Sequence, residues 1–230
     1  MNIQHNIELK PYNSFRTKAK AKLFSEPKTV EELCQVVKQY TNEKILILGN
    51  GYNLFFTKDY NGLVIHPLMK GINVCYENDK VVDIEVNAAE NWDDFVAYCV
   101  ANNYAGVENL SLIPSSVGAV PVQNIGAYGT EVKEVITRVK TVNIESGKQK
   151  EFTNEMCEFG YRDSVFKRTG KHIITSVIFR LQKEFIYKPK YKDVVSELAG
   201  IEAPTMADVR NAVVNIRTRK LPDYDILPNA

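Results

Sequence analysis

The segment at residues 113–129, IPSSVGAVPVQNIGAYG, limits what this chain can fold into more than any other stretch. Proline lacks a backbone N–H donor and glycine weakens a helix, so an ordinary helix interior is excluded here. Glycine and alanine let a ligand approach main-chain groups closely, and Gln123, Asn124 and Tyr128 would add directed polar contacts. A long segment without secondary structure is uncommon in a compact domain unless it binds something. A binding loop is therefore predicted, with a plain surface loop as the alternative.

Another glycine-rich segment follows the apolar run KILIL at residues 44–48, and this run predicts a short buried strand. The turn consists of Gly49, Asn50, Gly51, Tyr52 and Asn53. Successive N–H groups in such a turn form a concavity that binds phosphate or pyrophosphate. A hairpin turn is the alternative. Leu54 occupies the place of the third glycine in the dinucleotide fingerprint, so that motif is not matched.

Arg162, within the sequence FGYRDS at residues 159–164, is the candidate anion-binding side chain. Its guanidinium keeps its charge and presents a rigid fork that binds carboxylate or phosphate through two hydrogen bonds. Tyr161 and Asp163 flank it, and Asp163 is a candidate to orient it. The alternative is an ordinary surface ion pair with Asp163 or another carboxylate, which would have no function.

Charge and composition argue against several classes of protein. With 29 Lys and Arg against 28 Asp and Glu, the net charge of +1 gives no basic field for nucleic acid or for an acidic membrane surface. The four cysteines form no C-x-x-C pair and histidine is scarce, so we expect no metal site and reduced, mostly buried thiols. Because no apolar leader or spanning segment is recognisable, a cytoplasmic protein without a membrane partner is expected.

Alternating helix and strand patterns predict an α+β chain. One helix should run from a capping box at Thr29 to about Tyr40, and a second should follow Asn91 with Trp92 and Phe95 on its apolar face. A third helix is predicted at residues 206–217. Strands are predicted at residues 44–48, 62–65, 81–86, 139–144 and 173–181.

Five segments in order resemble one enzyme family. They are GNGYNLFF at 49–56, GVENLSLIP at 106–114, PVQNIGAYG at 121–129, FGYRDS at 159–164 and RTRKLP at 217–222. Across nearly the whole chain they resemble the UDP-N-acetylenolpyruvoylglucosamine reductase family, flavoenzymes that complete UDP-N-acetylmuramic acid for bacterial peptidoglycan. The Tyr161–Arg162 pair and the run at 123–129 are the most specific matches.

The resemblance implies an α+β chain with the two-subdomain FAD-binding fold of the vanillyl-alcohol oxidase (PCMH) type. FAD-binding subdomain 1 would span residues 1–68 and subdomain 2 residues 69–203, and residues 204–230 would begin a C-terminal substrate-binding domain. In the family, Pro-Asn-Ala at 228–230 continues into a motif whose serine donates the final proton. We therefore expect the 230-residue chain to lack that serine and to be impaired in turnover.

The resemblance also implies FAD bound without a covalent link and reduced by NADPH. Backbone amides of residues 49–53, the first turn, and of residues 115–118, the second turn, would hold the pyrophosphate, and residues 123–128 would lie along the flavin ring. The implied cofactor-binding residues are Gly49, Asn50, Gly51, Tyr52, Asn53, Leu54, Ser115, Ser116, Gly118, Gln123, Asn124, Gly126, Ala127 and Tyr128. These loops contain no His or Cys, which independently disfavours a tethered flavin.

For the reaction, the resemblance implies that UDP-N-acetylglucosamine enolpyruvate replaces NADPH and receives a hydride from the flavin. Arg162 would stabilise the negative charge that develops on the substrate carboxylate, and Tyr161 would position the substrate beside it. Tyr191 matches a tyrosine of the loop that covers the uridine, with a solvated loop tyrosine as its alternative. Lys220 and Arg217 match substrate-side and cofactor-side cations. A monomer without a metal or a nucleic-acid partner is expected.

Two residues depart from the family pattern. Tyr52 replaces a serine in the first turn, where its ring would cover or crowd the pyrophosphate. Ser115 replaces a glycine after Ile-Pro, and a non-glycine residue is disfavoured there if φ is positive. Two other functions stay open: a flavin-dependent oxidase of a small alcohol or sugar, and a non-catalytic nucleotide-binding or interaction module.

Overall fold

The computed structural model describes residues 3–188, 191–223 and 227. The strands in this part of the chain are β1 (Ile3–Glu8), β2 (Lys20–Ser25), β3 (Ile45–Ile47), β4 (Tyr60–Ile65), β5 (Ile72–Glu77), β6 (Val81–Asn87), β7 (Gly126–Ala127), β8 (Thr130–Glu131), β9 (Ile136–Asn143), β10 (Gln149–Thr153) and β11 (His172–Gln182). The α-helices are α1 (Val30–Gln39), α2 (Trp92–Ala101), α3 (Val165–Thr169), α4 (Lys192–Glu197) and α5 (Met206–Lys220).

The first sheet comes from the N-terminal part of the chain and has the strand order β1-β2-β4-β3. Its β1 is antiparallel to β2, whereas β2, β4 and β3 are parallel. The connection from β2 to β3 contains α1, which begins where the Thr29 side chain accepts a hydrogen bond from the Glu32 N–H at 3.2 Å. Leu33, Val36 and Val37 of this helix are buried in the apolar cluster that covers the sheet.

The second sheet is antiparallel throughout, with the strand order β10-β9-β11-β6-β5. Helix α2 begins after Asn91, whose side chain accepts hydrogen bonds from the N–H groups of Asp93 and Asp94 at the beginning of the helix. Trp92 and Phe95 of α2 pack with Phe179 of β11, and the ring centroids of Phe95 and Phe179 are 4.9 Å apart. Buried aromatic rings contribute much of a core's apolar area, so this trio fixes α2 on the sheet.

The two sheets share part of their core. Val142 of β9 and Ile173 of β11 lie in the same apolar cluster as Leu33 of α1. Strands of the first sheet end at Ile65 and those of the second begin at Ile72. The proposed division near residue 68 stays a prediction, because a shared core does not by itself define a boundary.

Helices α4 and α5 form a smaller cluster, in which Val194, Val209 and Val213 are buried and Tyr128 is packed against them. Arg210 of α5 also binds Asp93 of α2 through two hydrogen bonds of 2.7 and 2.9 Å. The last helix is therefore fixed both to the loop that contains Tyr128 and to α2. No helix within the described ranges is long and apolar enough to cross a membrane.

The four cysteines are free thiols. Cys99 and Cys157 are buried, Cys34 is half-buried and Cys75 is exposed, so the predicted burial holds for two of them. Burial raises the pKa of Cys157 to about 12. Across the described ranges, no three His, Cys, Asp or Glu side chains cluster in a way that could hold a metal ion.

Candidate active site

The two glycine-rich turns meet in the folded chain. A Cβ placed on Gly49 would stand 2.8 Å from Ser116 Oγ. Beside this contact, Asn53 Nδ2 donates a hydrogen bond to Gln123 Oε1 at 3.4 Å. The turn that follows β3 thus touches both the 115–118 turn and the start of the 123–128 run. The expectation that these segments converge on one place is confirmed.

Consecutive main-chain N–H groups of the first turn are unpaired. Those of Gly49, Asn50 and Gly51 have no acceptor among the described residues. The turn is braced through its carbonyls, because the Ser14 N–H donates to Gly51 O at 3.3 Å and Ser14 Oγ donates to Tyr52 O at 3.1 Å. Gly51 itself has a φ of 70°. A braced turn with successive unpaired N–H groups is an anion-binding nest.

The second turn uses its amides differently from the expectation. The Val117 N–H donates to Glu90 O and the Gly118 N–H donates to Ala88 O, both at 2.9 Å. The Gly118 amide is thus already paired within the protein, and a cofactor contact at Gly118 stays a prediction. Gly118 is required for packing, since a Cβ there would stand 2.7 Å from the Cβ of Ala88.

Ser115 and Ser116 remain candidates for the pyrophosphate, since their N–H groups have no acceptor in the described part of the chain. Both side chains are buried, at 7% and 4% exposure. The Trp92 N–H donates to Ser115 O at 3.0 Å, which ties this turn to the beginning of α2. Ser115 does not have a positive φ. The replacement of glycine at this position therefore brings no left-handed strain.

Tyr52 lies at the edge of a surface depression of about 360 Å³. Asn50 from the same turn and Lys10, Ser14 and Arg16 from the N-terminal loop also line it. The ring of Tyr52 is only partly exposed. The N-terminal loop thus forms one wall beside the first turn, which the sequence did not indicate.

Arg162 lies against the 123–128 run. Its Nη1 donates to Asn124 O at 3.2 Å and its Nη2 donates to Gly126 O. The ring of Tyr161 faces the guanidinium, with 5.2 Å between the ring centroid and Cζ, and is 84% exposed. Asp163 does not orient Arg162 as expected, because its carboxylate binds Arg168. Two backbone carbonyls hold the guanidinium in its place.

Asn124 lies in the protein interior. Its side chain is completely buried, with Nδ2 donating to Gly160 O at 2.9 Å and Oδ1 accepting from the Lys133 N–H at 3.2 Å. Its own N–H donates to Pro121 O at 3.3 Å. All polar groups of the Asn124 side chain are thus paired within the protein, and Asn124 as a cofactor-binding residue stays a prediction. Its neighbours Gly126, Ala127 and Tyr128 are partly exposed and remain candidates, as does Gln123.

A cluster near the end of α5, here called the tyrosine group, contains Tyr128, Tyr191 and Lys220. The rings of Tyr128 and Tyr191 pack edge to face, with centroids 5.3 Å apart at 87°. Lys220 at the end of α5 forms an ion pair with Asp193 of α4, whose carboxylate raises the pKa of the Lys220 ammonium. Asn109 Nδ2 donates a hydrogen bond to Tyr128 O at 3.0 Å, which fixes the backbone of Tyr128.

Arg217 lies beside the second turn. Its Nε donates to Leu112 O at 3.1 Å, and the Leu112 N–H donates to Asp93 Oδ1 at 2.5 Å. Leu112 has a φ of 56°, which is unfavourable for a branched residue unless its surroundings hold it. Arg217 therefore braces the segment that leads into Ser115, whereas Lys220 belongs to the tyrosine group.

Sequence reasoning overlooked several of these contacts. Asn109 and Ser164 lie inside segments that matched the family, so the matching segments were a usable signal for them. Asp93 and Arg210 are 117 residues apart, and neither stands in a recognisable motif. The expectation about residues 228–230 lies outside the described residues.

Comparison with known proteins first shows the class of protein to which this chain belongs. A family model described as an FAD binding domain matches residues 21–153. A UDP-N-acetylenolpyruvylglucosamine reductase from Thermus caldophilus has the same fold, with a TM-score of 0.73 at 22% identity over 97% of this chain and 71% of that one. Cholesterol oxidase from Brevibacterium sterolicum shares the fold more distantly, with a TM-score of 0.58 at 12% identity over 79% of this chain and 38% of that one. The fold is that of the two-subdomain flavoproteins.

Sequence relatives narrow the class. The UDP-N-acetylenolpyruvoylglucosamine reductase of Flavobacterium johnsoniae is 48% identical over 235 residues, covering 100% of this chain and 70% of the relative. That of Neisseria meningitidis serogroup B is 42% identical over 234 residues, covering 99% and 68%. The chain belongs to the UDP-N-acetylenolpyruvoylglucosamine reductase family. It is an FAD-dependent oxidoreductase whose cofactors are FAD and NADPH.

Proposed function

We propose that the protein reduces UDP-N-acetylglucosamine enolpyruvate to UDP-N-acetylmuramate with NADPH, through bound FAD, in the synthesis of peptidoglycan precursors. The observation that supports this most directly is the contact between Arg162 and the 123–128 run, whose first residue, Gln123, is hydrogen-bonded to Asn53 of the braced first turn. It places an anion-binding side chain beside the segment along which the flavin would lie. A pyrophosphate site and a carboxylate site then lie on connected loops.

The residues present fit FAD. The N–H groups of Gly49, Asn50 and Gly51, which have no acceptor among the described residues, suit a pyrophosphate, and so do those of Ser115 and Ser116 in the turn that packs against Gly49. The run from Gln123 to Tyr128 would face the ring system. FAD, when bound, accepts a hydride from NADPH and passes it to the substrate.

Arg162 would act on the charge that this transfer creates. A hydride added to the enol ether double bond leaves negative charge on the adjacent carbon, and that charge is shared with the substrate carboxylate. Two N–H groups of Arg162 bind backbone carbonyls, and the rest of the fork has no acceptor among the residues described. It can bind the carboxylate most strongly as the charge develops, before a proton completes the reduction.

The nucleotide end of the substrate is assigned to the tyrosine group. Tyr191 is 44% exposed and lies edge to face against Tyr128, so an aromatic surface is present beside the Lys220 ammonium. A uracil ring and a diphosphate suit these two features. NADPH and nucleotide sugars are cytoplasmic metabolites, which supports the cytoplasm as the location. A monomeric state stays a prediction that size-exclusion chromatography can test.

Spectroscopy of the purified protein with FAD tests the proposal. We expect the absorbance bands of oxidised flavin, loss of those bands with NADPH, and only a slow return when the enolpyruvyl sugar nucleotide is added, because turnover by this chain is expected to be impaired. Replacing Arg162 by Ala should slow the return by about 10²–10³-fold, with little change in reduction by NADPH. R168A is the matched control, because Arg168 binds Glu158 and Asp163 on the surface.

Other outcomes would contradict the proposal. A protein that takes up no FAD would exclude a flavoenzyme and favour a non-catalytic module. Flavin reduced by a small alcohol or sugar, with consumption of dioxygen, would favour an oxidase. If R162A and R168A slowed the substrate step equally, Arg162 would have no special part in it.

A further inference from the structure

Two segments of the site are joined by four hydrogen bonds. The first segment is the Gly160–Asp163 turn with the following Ser164, and the second is the chain from Val122 to Gly126. Two of the bonds come from Arg162, to Asn124 O and Gly126 O. The others are Asn124 Nδ2 to Gly160 O at 2.9 Å and Ser164 Oγ to Val122 O at 2.6 Å. Asn124 takes part in two of the four bonds, one through its side chain and one through its backbone.

The Asn124 side chain is fixed at both of its polar ends. It has no exposed surface, its Nδ2 binds Gly160 O, and its Oδ1 accepts from the Lys133 N–H. A fully satisfied buried amide favours one arrangement of its partners, because any other leaves a polar group unpaired away from water. Gly160 is thereby held at a fixed place relative to the chain that would follow the flavin.

Left-handed backbone occurs on both sides of this junction. Asn124 has a φ of 42° and Arg162 a φ of 50°. Arg162 stands in a tight turn that is closed by Gly160 N–H to Asp163 O at 3.0 Å and by Asp163 N–H to Gly160 O at 3.3 Å. Residues other than glycine hold such conformations only where their surroundings enforce them, and such strain concentrates at functional sites.

We propose that Asn124 is a positioning residue that holds the turn carrying Tyr161 and Arg162 in the orientation needed for the substrate carboxylate. Its side chain fixes Gly160, at the beginning of the turn, and its left-handed backbone directs its carbonyl to the Arg162 guanidinium. This inference rests on the proposed function for the part that concerns the substrate. The role differs from the direct cofactor contact that the family resemblance implies, and the complete burial of the Asn124 side chain supports it.

N124G tests the proposal, because glycine keeps the left-handed backbone accessible and removes the side chain. The matched control is N154A. The Asn154 amide also bridges two carbonyls, Lys133 O at 2.8 Å and Ile136 O at 2.7 Å, without touching the Gly160–Asp163 turn. N124D is a second variant that keeps the volume and the acceptor for Lys133 but loses the donor to Gly160. It covers the case in which N124G does not fold.

The first measurement is hydrogen exchange of the intact protein, followed in a peptide across residues 159–164. Loss of one buried hydrogen bond should speed exchange of the Gly160 and Asp163 amides by about tenfold in N124G and N124D, and N154A should leave them unchanged. Unchanged exchange in both Asn124 variants would overturn the proposal. This arm does not depend on any activity.

The second measurement separates binding from reaction in the flavin-loaded protein. Mixing NADPH-reduced protein with the enolpyruvyl sugar nucleotide should show reoxidation slowed by about 100-fold in N124G, because small displacements of a charged group are costly. The dissociation constant for FAD and the rate of reduction by NADPH should stay near those of the wild type. FAD binding weakened as much as reoxidation would overturn the proposal. If even the wild type is not reoxidised, the proposed function fails, and the exchange measurement still decides whether Asn124 holds the turn.

Discussion

The two glycine-rich turns look alike in sequence and behave differently in the structure. In the 49–53 turn, the N–H groups of the first three residues have no acceptor within the described ranges, and the bracing bonds from Ser14 go to carbonyls. In the 115–118 turn, the amides of Val117 and Gly118 are already donated to the chain between β6 and α2. The first turn therefore has the form of a ligand cradle braced through its carbonyls, whereas the second is mainly a packing junction in which, among the described residues, only the Ser115 and Ser116 amides lack an acceptor.

Glycine is therefore required at this site for two different structural reasons. Gly51 is needed because its φ is 70° and because a Cβ there would stand 1.9 Å from Tyr12 O. Gly118 is needed because a Cβ would stand 2.7 Å from the Cβ of Ala88. Glycine content alone does not distinguish close packing within the protein from close approach of a ligand. The hydrogen-bond partners of the neighbouring amides do.

The largest effect is expected for G51A. The added Cβ would overlap a backbone oxygen and would also impose a left-handed alanine, so we expect a loss of about 4 kcal/mol in the free energy of unfolding and no measurable FAD binding. Chemical denaturation and flavin titration measure both. G170A is the control, because Gly170 has a φ of 62° with no atom within 4 Å of its Cβ position. It should cost only about 1 kcal/mol and leave FAD binding intact. Equal effects of the two variants would show that the wall behind Gly51 is unimportant.

The next effect concerns Asp93, which fixes the segment leading into the second turn. Burial of this carboxyl opposes its ionisation, but hydrogen bonds from Arg210 and the Leu112 N–H outweigh it, so the pKa is lowered. D93N should cost about 2 kcal/mol at neutral pH, less than a fully buried ion pair because both side chains keep some solvent contact. The adjacent exposed Asp94 provides the control, and D94N should change stability by less than about 0.5 kcal/mol.

The same residue predicts a pH dependence. Because the folded-state pKa lies below the unfolded value of about 3.9, the stabilisation by Asp93 is fully present above that value and is lost as pH falls through the folded pKa. The stability difference between wild type and D93N should therefore shrink in denaturation curves taken at successively lower pH. A difference that stays constant below pH 4 would show that the charge of Asp93 is not what holds Leu112.

A smaller effect is expected for G118A. Its Cβ would press on Ala88, and we expect a cost of about 1.5 kcal/mol to stability with less than a tenfold change in FAD affinity. The double variant A88G G118A should recover part of the stability, because the clash is then relieved. Calorimetry of the wild type, G118A and the double variant measures these differences in stability. Loss of FAD binding in the double variant would mean that the second turn is as much a ligand cradle as the first.

The smallest effect is expected for S14A, which removes the hydrogen bond from Ser14 Oγ to Tyr52 O. Stability should fall by about 0.5–1 kcal/mol, and FAD should bind a few-fold more weakly because the first turn loses one brace. S146A removes a comparable surface bond, from Ser146 Oγ to Asn143 Oδ1 at 3.0 Å. It should leave FAD affinity unchanged. If both variants bound FAD like the wild type, bracing by the side chain of Ser14 would be unnecessary.

Local patterns were sufficient for the long elements of the fold. The helices after Thr29 and Asn91 and at residues 206–220, and the strands within β6, β9 and β11, were predicted with ends that differ by a few residues. The short strand β3 was predicted from the apolar run at residues 44–48, but several other short or exposed elements were not predicted. In β5, Val74 and Tyr76 are exposed at 43% and 50%, so no clear alternation of buried and exposed side chains marks the strand. Helix α3, at residues 165–169, is too short for a helical period to be recognised.

The sequence by itself determined the family and the identity of the segments that form the site, because glycine-rich turns and a Tyr–Arg pair within matching segments are local features. Only the tertiary structure decided what each residue does there. Asn124 and Gly118 were expected to bind the cofactor, yet one is buried with every polar group paired and the other donates its amide to Ala88. The physical reason is that a backbone or side-chain amide binds whichever acceptor the fold brings near. The choice between protein and ligand therefore depends on contacts between residues far apart in the chain.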